Sequence, residues 1–137
     1  MRVNALDHVN IITDDLEGTA RFYSAVIGLE RRNGPPPLSP DNAQWMHDAA
    51  GRAIVHINTL SAPKVVERPT GGPHTGAVHH VALNCSGHAE MIDRLRAQGI
   101  AARHNEVTAI GLRQIFISDP NDVLIELNFF AEPGAGA

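Results

Sequence analysis

The chain has 137 residues, enough for one ordinary domain with its own core. Hydrophobic residues make up 43% and charged residues 19%, a globular balance that excludes a disordered or membrane-spanning chain. The net charge is -4 and no Lys/Arg run stands out, so neither nucleic acid nor membrane is expected as a partner. The lone Cys85 excludes an internal disulfide framework and fits a reducing cytoplasm, and no basic-then-apolar leader precedes the first strand.

In chain order, the pattern predicts a strand over residues 6–13, carrying His8 and Asn10. A helix follows over residues 15–27, with Asp14 as N-cap and Glu17 three residues on. Leu16, Ala20, Tyr23 and Ile27 form its apolar stripe, and Gly28 ends it. Strands are expected over residues 29–32, 43–47 and 52–60, the first two of these separated by a loop with Pro35, Pro36, Pro37 and Pro40. Such long loops often cover sites. A linker over residues 61–77, rich in Pro and Gly, leads to a strand over 78–85 and a helix over 89–97. Gly99 then takes the place of Gly28, and strands follow over 102–107, 112–118 and 123–129. The tail from Pro133 should fray.

The second half repeats the first. His8 precedes His80 by 72 residues, Gly28 precedes Gly99 by 71, and His56 precedes Glu126 by 70. Trp45 lies three residues before Asp48 as Phe116 lies three before Asp119. The expectation is one domain over 1–137, built from a βαβββ module at about 5–60, the linker, and a second module at about 78–130.

Strand alternation tests which residues share a face. His8, Asn10 and Ile12 oppose Val9 and Ile11, while His56 and Asn58 oppose Val55 and Ile57. His80 and Asn84 oppose Val81 and Leu83, while Glu126 and Asn128 oppose Ile125 and Leu127. In each case the apolar face can take a helix and the His or Glu face lines a hydrated cleft. His80 is favoured over His79, which shares a face with Val81 and Leu83. A lone strand histidine is more often structural than a ligand. The matched set of three imidazoles and one carboxylate instead suits a divalent transition metal, so His8, His56, His80 and Glu126 are the expected ligands. The ion could be Zn, Ni, Co, Fe or Mn. Asn10, Trp45, Gln114 and Phe116 are expected to line the cleft, while His47, His74, His88 and His104 default to surface or loop roles.

The segments Leu6-Asp7-His8-Val9, residues 14–29 with Phe22-Tyr23 and Gly28-Leu29, and Asp119-Pro120-Asn121-Asp122 before Ile125-Glu126-Leu127 resemble the vicinal oxygen chelate superfamily. This is the group of glyoxalase I, extradiol dioxygenases, methylmalonyl-CoA epimerase and bleomycin/fosfomycin resistance proteins. Asp122 stands where the group usually has Gly. The resemblance implies an α+β fold of two βαβββ modules forming a curved mixed sheet around a metal cleft. It also implies a homodimer with a small-molecule substrate. His56 stands where glyoxalase-like members usually carry Glu, and ring-cleaving members use only two His and one Glu, matching His8, His80 and Glu126. The expected function is a glyoxalase- or epimerase-like lyase or isomerase, with Glu126 and His56 as catalytic groups. An extradiol-type ring-cleaving dioxygenase and a drug-sequestering binding protein are the alternatives.

Overall fold

The computed structural model describes residues 1–2, 4–65 and 78–131. The Pro/Gly-rich part of the linker and the tail from Pro133 lie outside the described residues, as does His74. The chain divides into two compact units, Met1–Pro73 and His74–Ala137.

The first unit runs β1 (Val9–Ile12), α1 (Leu16–Arg21), a π-helical turn (Phe22–Ile27), β2 (Glu30–Arg32), β3 (Ala43–His47) and β4 (Ala53–Asn58). Its sheet has the order β1-β4-β3-β2, with β1 parallel to β4 and the other pairs antiparallel. One face is apolar and closed. Ile11, Met46, Val55 and Ile57 are buried, together with Ala20, Tyr23 and Val26 from the helical segment. Deleting a side chain as deeply buried as Met46 would cost about 2–5 kcal/mol.

The expected strand over 6–13 shortens to four residues, so His8 stands just outside the ladder. The helix cap is Asp15 rather than Asp14. The ladder continues far enough for Thr13 N to donate to Asn58 O at 2.9 Å, which delays the turn by one residue. Asp15 Oδ1 then accepts from Gly18 N at 2.9 Å. Glu17 does not complete a capping box. Its carboxylate binds Arg31 at 2.7 Å, tying the helix to β2. Gly28 ends the helical segment at φ 89, a left-handed conformation that disfavours other residues.

The proline loop is anchored by Gln44, whose Nε2 donates to Asn33 Oδ1 and to Pro40 O, both at 3.1 Å. At Gly34 a Cβ would come within 3.2 Å of Trp45 Nε1, so the loop lies against the indole edge.

The second unit repeats the order: β5 (Val81–Asn84), α2 (His88–Ala97), β6 (Arg103–Val107), a 3-10 turn (Thr108–Ile110), β7 (Leu112–Ser118) and β8 (Leu124–Phe130). The sheet order β5-β8-β7-β6 and its pairing directions match the first unit. Ile115, Ile117, Ile125, Leu127 and Phe129 are buried with Met91 and Leu95 of α2. Each unit is therefore a βαβββ module with a four-stranded mixed sheet, the α+β architecture expected. Cys85, just beyond β5, is half-buried.

Candidate functional site

In the first unit His56 sits on the sheet face opposite the core. The parallel register sets it beside Asn10 of β1, and the antiparallel register sets it beside Trp45 of β3. Three rings stack there. The His8 and His56 centroids are 3.9 Å apart with planes 10° apart, and Trp45 lies on His56 at 3.8 Å and 8°. Burial pushes the His56 imidazole below its ordinary pKa, and the neighbouring His8 adds to this. His8 Nδ1 lies 2.6 Å from Asp7 Oδ1. With the carboxylate accepting, the ring proton belongs on Nδ1 and the Nε2 lone pair is left available. The same bond holds the Asp7 carboxyl below its usual range. Asn58 Nδ2 donates to Asn10 Oδ1 at 2.8 Å, fixing the cleft amides.

One residue of this face was not anticipated. Alternation along β3 places His47 on the side of Trp45, and its charge acts on His56. Trp45 Nε1, His47 Nδ1 and Asn58 Oδ1 are buried without hydrogen-bond partners among the described residues. All three belong to residues of this one face. The signal in the sequence was parity, since His47 lies two residues beyond Trp45.

In the second unit Glu126 of β8 is beside Ala82 of β5 and Phe116 of β7. Phe116 thus holds the same register position as Trp45. His80 Nε2 lies 3.1 Å from Glu126 Oε2, and the other carboxylate oxygen accepts from Gln114 Nε2 at 2.6 Å. His79 meets His80 instead of the carboxylate, with their Nδ1 atoms 2.9 Å apart.

The donor chemistry fits a divalent ion. Two donors each about 2.1 Å from one ion stand about 3.0–3.4 Å apart, and the His80–Glu126 separation falls in that range. His8 offers a free Nε2. The in-plane lone pairs of His8 and His56 lie in separate, near-parallel planes, so both rings can serve one ion only if one of them turns. Among the described residues no three His, Cys, Asp or Glu side chains are grouped closely enough to hold an ion. Each unit brings together two of the four expected ligands, and among the described residues no helix is long and apolar enough to cross a membrane.

Known proteins share this architecture. A putative glyoxalase family protein from Bacillus anthracis is 21% identical, with a TM-score of 0.69 over 96% of this chain and 100% of that one. Lactoylglutathione lyase from Agrobacterium tumefaciens is also 21% identical, with a TM-score of 0.65 over 94% of this chain and 96% of that one. In sequence, Glyoxylase I 4 of Arabidopsis thaliana is 24% identical over 129 residues, covering 93% of this chain and 71% of that protein. The model of the Glyoxalase/Bleomycin resistance protein/Dioxygenase superfamily matches residues 5–127, and the chain belongs to that superfamily.

Proposed function

We propose that this protein is a divalent-metal-dependent lyase or isomerase of glyoxalase or epimerase type, acting on a small substrate held through two neighbouring oxygens. His8, His56, His80 and Glu126 would hold the ion, whose contribution is Lewis-acid stabilisation of developing negative charge on a substrate oxygen. The observation that carries the reading is the 3.1 Å pairing of His80 Nε2 with Glu126 Oε2, matched in the other module by His8 beside His56.

Glu126 Oε2 is the proton-moving atom. It takes a proton from the substrate carbon next to a carbonyl, the C–H electron pair forms a C=C bond as the carbonyl π pair moves onto its oxygen, and the proton returns to carbon as a carbonyl reforms. Trp45 and Phe116 supply flat apolar walls, and Asn10 supplies an amide on the same face as His56. A substrate with an apolar part and two vicinal oxygens fits these groups, and a homodimer would cover exposed sheet edges.

The ring stack favours a second reading. Sandwiched between His8 and Trp45, His56 would stay off the ion and act as a proton shuttle beside an extradiol-type substrate. Two variants test these readings. His80→Ala should lose most of its affinity for Zn or Ni, and unchanged affinity would overturn the metal assignment. His56→Ala should also lose affinity if the site is isomerase-like. Intact binding with loss of oxygen-dependent turnover on catechols would instead establish the dioxygenase.

A further inference from the structure

The face of the second sheet that carries Glu126 also carries a fully committed amide. Gln114 Nε2 donates to Glu126 Oε1 at 2.6 Å and to Asn128 Oδ1 at 3.1 Å. Gln114 Oε1 in turn accepts from Asn105 Nδ2 at 2.7 Å. The chain of bonds crosses β6, β7 and β8, and each link is between register partners or their diagonal neighbours. A carboxylate only accepts, so the nitrogen side of the Gln114 amide must face Glu126. The half-buried carboxylate is therefore held at one oxygen, and Oε2 is the oxygen near His80.

The first module lacks this device. The position that pairs with Asn58, as Gln114 pairs with Asn128, is Ala43. The amide thus belongs to the module whose closing strand carries a carboxylate instead of an imidazole.

We propose that Gln114, braced by Asn105, is a positioning residue that occupies Glu126 Oε1, so that Oε2 alone is presented to the ion and to the substrate proton. The ion-facing half of this inference rests on the proposed metal chemistry, whereas the amide–carboxylate bond does not. A carboxylate freed from the amide can turn and close both oxygens on an ion, taking a position the substrate needs. Held at Oε1, it has Oε2 alone to meet the ion and, once released from it, to take the substrate proton.

Cobalt(II) titration followed in the visible spectrum, together with the side-chain amide signals of Gln114 in metal-free protein, tests this. Gln114→Met keeps the length and removes the N–H. It should weaken cobalt binding ten- to a hundred-fold, about the loss expected when a group orienting a ligand is removed. It should also change the cobalt bands as the carboxylate becomes bidentate. Should that variant fail to fold, Asn105→Ala on the exposed edge strand removes the brace and should give a smaller change in the same direction. Cobalt affinity and bands identical to the parent in a folded variant would overturn the proposal. In metal-free protein, the Gln114 amide signals should move in Glu126→Ala, and signals that do not move would overturn the bond itself. A parent that binds no cobalt yet shows that amide shift would sink the metal reading and the ion-facing half of the proposal while keeping the bond.

Discussion

Asp122 occupies a left-handed conformation, φ 61, in the turn between β7 and β8. Asp119 organises that turn, its Oδ1 accepting from Asn121 N at 2.7 Å and from Val123 N at 2.8 Å. A side chain in left-handed backbone is strained, and glycine relieves the strain at some cost in chain entropy. Asp122→Gly should therefore raise stability by up to about 1 kcal/mol, read as a higher urea midpoint. A lower midpoint would show that the Asp122 side chain contributes more than its backbone strain costs. Cys85 makes a separate case. Burial pushes its thiol up, so little thiolate exists at neutral pH. Alkylation by iodoacetamide should be much slower than that of a free cysteine, and an equal rate would contradict the packing described.

At the scale of elements, much was legible. The strands over 43–47 and 112–118 fall within their expected bounds, with Gln44 and Met46 buried on one face of the first and Ile115 and Ile117 on one face of the second. Parity also put His56 and Glu126 on the faces away from the cores. Strand ends were less legible. His8 and His80 read as strand residues by composition, yet both precede the paired ladder, whose extent depends on β4 and β8 far along the chain. The partners of Gln114 were also beyond reach, since they follow from cross-strand register and not from local pattern. The helix cap shows the same limit: two adjacent aspartates fit the pattern, and the end of the β1 ladder selects the second. Asp15→Ala should cost about 1 kcal/mol, whereas Asp14→Ala should be nearly neutral. Thermal unfolding of the two variants compares them directly, and the reverse order would contradict the observed cap.

The whole molecule is two modules with one topology and different polar furniture: an aromatic stack in the first, a carboxylate held by amides in the second. Acid should weaken it. Burial lowers the pKa of His56 and of His88 from the ordinary 6.5, with His8 adding to the effect on His56 and Arg113 and His104 to that on His88. The unfolded chain then takes up protons before the folded one does, so stability is full above the ordinary histidine value and falls as pH drops below it. Denaturant midpoints of the metal-free protein should decline from pH 7 toward pH 5, and a flat profile would contradict the buried, neutral state of these rings.

The proposed function requires the His8–His56 pair and the His80–Glu126 pair to serve a single ion. Trp45 is the only tryptophan and lies against His56, so its fluorescence reports on the first module. Titration with nickel or cobalt should quench that emission in the parent protein and saturate at one ion per site. In His80→Ala, altered only in the second module, the quenching curve should shift to at least about ten-fold higher metal concentration. A His80→Ala curve that overlays the parent would show that the first module binds metal alone, contradicting a shared site.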